Sequence, residues 1–162
     1  MLDEHEKHNI QRSWRLVEPI KETAADLFYR RLFELEPRYR ALFPDDLGSQ
    51  KRKLIKMLAF IVQSLDYPET AWRAETPEEN DLFLVTLALG RRHRELYHVP
   101  DAAYATVGSA LLWALDQGLG EAFTKDVHDA WAHVYQLLET IMRMGRGATK
   151  LGAPIVDSGS WD

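Results

Sequence analysis

The sequence predicts an all-α fold, and three observations carry that prediction. Apolar residues recur at three- and four-residue spacing in segment after segment, which puts them on one side of a helix. Strand signals are weak, with no tight Asn-Gly or Asp-Gly turns between alternating runs. Proline falls between the periodic segments, where it ends helices or opens them. Together these imply about six or seven helices with short connections, crossed around a central pocket rather than aligned as a simple four-helix bundle.

The elements follow in order. A first helix opens at Asp3, with Glu6 at capping-box spacing, and runs to Val17 before Pro19 breaks it. A second spans Ile20 to Leu35 and carries Ala24, Leu27, Phe28, Leu32 and Leu35 toward a core. Pro37 and Pro44 bracket a turn-like segment, and Asp45 to Gly48 reads as loop. The next helix, Ser49 to Leu65, has the apolar stripe Leu54, Met57, Leu58, Ile61, Val62, Leu65 opposite Lys51, Arg52, Lys53 and Lys56. Thr76-Pro77-Glu78-Glu79 is a strong helix start, and the helix it opens carries Leu82, Leu89, His93 and Leu96 on one stripe. A helix from Pro100 to Gln117 turns Tyr104, Val107, Leu111 and Leu115 inward and ends at Gly118 and Gly120. Thr124 caps a long last helix with Val127, Trp131, Val134, Tyr135, Leu138, Ile141 and Met142 on its apolar face. These elements make one domain over residues 1–145. The Gly-, Ser- and Pro-rich residues 146–162 read as a disordered tail.

Composition excludes several classes of function. The chain of 162 residues is 46% hydrophobic and 28% charged, enough to bury a core and stay in solution. A net charge of −5 argues against nucleic acid as a partner, because phosphate neutralisation needs a basic surplus. No cysteine is present, so disulfides, thiolate chemistry and Cys-ligated clusters are out, and a metal would rest on His or carboxylate. The charged start lacks the apolar core of a secretory signal. The longest uncharged run, Ala102 to Leu115, is too short to span a bilayer. A cytoplasmic protein without membrane partners is the expectation.

Three polar residues break the inward pattern. His93 shares the stripe of Leu82, Leu89 and Leu96; Gln50 lies one turn before Leu54; Tyr29 lies one turn before Phe33. Each has an ordinary explanation when read alone. A lone inward His usually bonds a backbone carbonyl, a first-turn Gln is usually exposed, and a core Tyr usually sends its hydroxyl to the surface.

The combination is more specific. Leu89-Gly90-Arg91-Arg92-His93, Tyr97-His98-Val99 and Tyr104 to Leu112 resemble the proximal half of a globin, with Ala130-Trp131 and Tyr135 resembling the core of its last helix. Leu27 to Phe33, Glu36-Pro37 and Leu42-Phe43-Pro44 resemble its distal half. The resemblance covers residues 5–144 and is closest to single-domain bacterial globins, the haem domain of flavohaemoglobins and neuroglobin.

This resemblance implies a three-over-three helical sandwich around haem b, iron protoporphyrin IX. It implies His93 as the protein ligand to iron and Phe43 as the ring stacked on the haem. Tyr29 and Gln50 match distal polar positions that stabilise a bound gas, and Leu54 matches the apolar residue over the iron. Lys53 resembles a propionate partner. Leu89, Val99, Tyr104, Val107 and Tyr135 match haem-wall positions. The implied ligands are O2, NO and CO. Haem asks for an apolar slot, one neutral imidazole and cations at its rim, and the sequence supplies all three kinds of group.

Some features depart from the family. The stretch between Gln50 and His93 is about ten residues longer than in relatives, with the excess around Tyr67 to Glu79. His98 stands where relatives often have glycine, and no inward acid follows Tyr135 in the flavohaemoglobin register. The resemblance leaves two activities open: reversible O2 binding, and nitric oxide dioxygenase chemistry that turns NO and O2 into nitrate. The second would need a separate reductase, because no flavin or nicotinamide domain is seen. A haem-free helical interaction module is a third reading. The sequence leaves the oligomeric state open.

Overall fold

A computed structural model describes residues 2–66 and 102–150, with side chains as far as residue 140. Every regular element among the described residues is helical: α1 (Glu4–Val17), α2 (Lys21–Leu35), α3 (Gly48–Ser64), α4 (Ala103–Leu119) and α5 (Lys125–Lys150). Short 3-10 turns over Glu18–Ile20, Pro37–Leu42 and Gly120–Ala122 make the corners. The expected helix around His93 and the long stretch from Tyr67 to Glu79 lie outside the described residues, as do 151–162. None of the described helices is long and apolar enough to cross a membrane.

Local chemistry sets the ends. Asp3 accepts from the Glu6 backbone N–H (2.8 Å) while Glu6 accepts from the Asp3 N–H (3.2 Å), the capping box read from the sequence. Thr124 caps α5 through the Val127 N–H at 3.3 Å. Gly120 closes α4 with φ of 58°, a left-handed conformation that favours glycine; Gly118 stays inside the helix.

Packing joins α2 to α4 and α1 to α5, while α3 leans on α1 and α2. Both helices of the α2–α4 pair bury small residues, Ala24 and Ala25 on one and Gly108, Ala110 and Ala114 on the other. Small side chains let helix axes approach closely. The core then fills with Phe28, Leu32, Ile61, Leu65, Leu111, Leu115 and Val134. One expected core residue is corrected: Leu35 is 42% exposed. It is the last residue of α2 and overhangs the packed part of the helix.

The α1–α5 pair is tied by a buried polar link. The Trp131 indole N–H donates to Ser13 Oγ at 2.9 Å, and Ser13 donates back to the Asn9 and Ile10 carbonyls. Trp14 and Trp131 pack with ring centroids 6.4 Å apart. At the edge of the pair, Glu6 also meets His133 Nδ1 at 2.7 Å. Ser13→Ala removes the acceptor and leaves the indole N–H buried. We expect a loss of about 1–3 kcal/mol in urea unfolding; an unchanged midpoint would mean that water reaches the indole.

Candidate functional site

The site grows from the joint between α2 and α3. Tyr29 is 7% exposed, yet its hydroxyl is not stranded: it donates to the backbone carbonyl of Gln50 at 3.2 Å. Burying a phenol without such an acceptor would be costly. Its ring meets Phe43 edge-on at 5.8 Å, Phe28 edge-on at 4.9 Å and Phe33 at a tilt at 6.1 Å. Phe33 and Phe43 are themselves 5.7 Å apart. Edge-on rings gain from their quadrupoles as well as from burial. The ordinary alternative for Tyr29, a hydroxyl at the surface, does not hold.

Gln50 is half-buried in the first turn of α3, and its side-chain amide has no hydrogen-bond partner among the described residues. Leu54, one turn on, is half-buried against the core. Lys53 is half-buried without an ion pair among the described residues, whereas its neighbour Lys51 meets Asp26 of α2 at 2.7 Å. Tyr29, Phe43 and Gln50 are therefore in one cluster, with Leu54 continuing it along α3.

A second group lies where α4 meets α5. Tyr104 is buried in the first turn of α4, and its carbonyl accepts from the Tyr135 hydroxyl. Val107 and Tyr135 are half-buried against the core. Gly108 was not singled out as a site residue, yet a Cβ there would lie 2.7 Å from Tyr135 Cε2. A glycine inside a helix costs stability, so its place four residues after Tyr104 was the available signal of close packing. Glu139, one turn beyond Tyr135, is half-buried. Leu89, His93 and Val99 lie outside the described residues.

The described residues suit a flat apolar group with few polar contacts. Phe43, Leu54, Val107 and Tyr135 are half-buried against the core, as a wall facing a large apolar guest would be. No cluster of three His, Asp or Glu side chains among the described residues could hold a metal ion directly.

Beside the site, Arg38 grips Glu36 with two bonds of 2.8 Å. That side-chain contact, helped by the Arg38 backbone N–H, holds the Glu36 carboxyl down at about 2 from an ordinary 4.5. The charged pair is thus complete at neutral pH and is lost as pH falls through about 2. Carboxyl NMR titration should find that midpoint, and Arg38→Gln should return it toward the ordinary value.

Gly108→Ala drives a methyl into the Tyr135 ring, which is held at its far end by Tyr104. Thermal unfolding should show a loss of about 1–3 kcal/mol. Adding Tyr135→Leu should recover part of it; strictly additive effects would show that the two residues do not compete for space.

Comparison with known proteins agrees with this architecture. The globin family model matches residues 26–142. Over 158 residues the chain is 28% identical to neuroglobin of Chaenocephalus aceratus, covering 89% of this chain and 92% of that one. It is 28% identical over 155 residues to neuroglobin of Danio rerio, with the same coverages of 89% and 92%. It is 30% identical over 165 residues to neuroglobin-1 of Oncorhynchus mykiss, covering 93% of this chain and 95% of the relative. The chain belongs to the globin family, whose fold implies a haem group and small gas ligands.

Proposed function

We propose that this globin holds haem b through His93 and binds O2 reversibly, with Tyr29 and Gln50 on the opposite face as hydrogen-bond donors. The observation that carries the reading is the assembly of Tyr29, Phe43 and Gln50 into one half-closed cluster. Haem, when bound, would be held by the His93 imidazole and would supply an iron able to take up a diatomic gas. Lys53 would pair with a propionate, and Phe43, Leu54, Val107 and Tyr135 would exclude water from the bound group. Leu89 and Val99 complete the wall.

The two donors are unequal. The Gln50 amide gives a hydrogen bond to a guest without losing one, since it has no partner among the described residues. Tyr29 has one proton, already engaged by the Gln50 carbonyl, so donating to a guest exchanges one bond for another. A glutamine at position 50 is also a poor iron ligand compared with histidine, which keeps the gas side open.

The same trio of Tyr29, Gln50 and Leu54 resembles that of flavohaemoglobins and supports a second reading, a nitric oxide dioxygenase working with a separate reductase. NO consumption with a generic reductase and NADH decides between them: turnover no faster than that of a carrier globin rejects the enzyme.

For the main reading, the purified protein should be red, with its Soret band lost in His93→Ala and restored by added imidazole. A colourless protein that takes up no haem would favour the haem-free interaction module instead. Two strong axial nitrogens in the ferrous spectrum would contradict the open gas side. Gln50→Leu should speed O2 release about tenfold, and Tyr29→Phe by less. A larger effect of Tyr29→Phe in stopped-flow kinetics would show that the tyrosine is the principal donor.

A further inference from the structure

Arg40 lies in the 3-10 turn Pro37–Leu42, ahead of Phe43, and both terminal nitrogens of its guanidinium donate hydrogen bonds. Nη1 donates to the Phe43 carbonyl at 3.3 Å and the Pro44 carbonyl at 3.0 Å, and Nη2 donates to the Asp45 carbonyl at 2.9 Å. Its central carbon stands 5.5 Å from the Phe33 ring centroid. No carboxylate forms an ion pair with Arg40 among the described residues, so three carbonyl dipoles and a ring face answer its charge. The segment it holds has few alternatives. Residues 43–45 follow the last backbone bond of the turn, Phe43 N–H to the Arg40 carbonyl, and precede α3. The Pro44 and Asp45 carbonyls accept from no backbone N–H among the described residues. One side chain thus replaces a missing backbone ladder.

We infer that Arg40 is a positioning residue for the candidate site: by clamping residues 43–45 against Phe33, it sets where Phe43 presents its ring and where α3 begins, and so where Gln50 stands beneath Tyr29. The inference rests on the haem reading above for its functional half. Its structural half rests on the hydrogen bonds alone. Only a planar fork fits: a lysine carries its donors on one tetrahedral nitrogen and cannot both span three successive carbonyls and stack on a ring. Arg38, two residues earlier, is bound to Glu36 and serves as the comparison.

The test compares Arg40→Gln, Arg40→Lys and Arg38→Gln with the wild-type protein. Amide hydrogen exchange across residues 41–48 should quicken about tenfold in both Arg40 variants, with or without haem, and stay unchanged in Arg38→Gln. In the holoprotein, transfer of haem to an excess of apomyoglobin should quicken about tenfold in both Arg40 variants. The C–O stretching band of the ferrous-CO form should shift or broaden, since the polar groups facing the gas move. Unchanged exchange over 41–48 overturns the clamp. Faster exchange with wild-type haem transfer and a wild-type C–O band overturns the positioning role and leaves Arg40 a brace for the loop. Rescue by Arg40→Lys also overturns it, because charge alone would then suffice. A wild-type chain that takes up no haem overturns the functional half together with the haem reading, and exchange in that chain still judges the clamp.

Discussion

A phenol cannot be buried among phenylalanine rings unless something accepts its proton. Tyr29 meets that constraint through the carbonyl of Gln50, which joins the middle of α2 to the first turn of α3. Once the joint is made, much else is determined. Phe43 has a ring to pack against, Gln50 is held at the mouth of α3 with its amide unspent among the described residues, and Leu54 follows one turn along. The energy of a neutral hydrogen bond is modest, but the cost of leaving it unmade is not. The joint therefore acts more as a constraint on geometry than as a source of stability.

The two halves of the candidate site use one device in two places. On each side a tyrosine hydroxyl donates to a first-turn carbonyl of a neighbouring helix: Tyr29 to Gln50, and Tyr135 to Tyr104. Such carbonyls are already engaged in their own helix, yet each oxygen has a second lone pair. The tyrosines spend that spare capacity to register one helix against the next. Gly108 makes the second of these contacts sterically possible.

Much of this was legible in the sequence, for identifiable reasons. The Asp3–Glu6 box and the Thr124 cap are local chemistry, and local chemistry can be read from spacing. The stripe from Leu58 to Leu65 is periodic, and periodicity reports which side is buried. Leu35 misled because a stripe does not say where its neighbours stop. Tyr29 was ambiguous because spacing places a ring but not its hydroxyl. The grip of Arg40 on three carbonyls left no trace in the pattern, since a surface arginine and a clamping one look alike without coordinates. The resemblance to globins supplied what periodicity could not, the joint identity of positions far apart in the chain.

The Ser13–Trp131 link joins residues 118 apart, close to the full span of the described fold. Contacts of such separation are costly to reach during folding, because most of the chain must be ordered before they close. On the ribosome, α1 would therefore emerge long before its partner exists. Its apolar face, with Ile10, Trp14 and Val17, would gain partial cover from α3 and α4 and be closed over only once α5 is made.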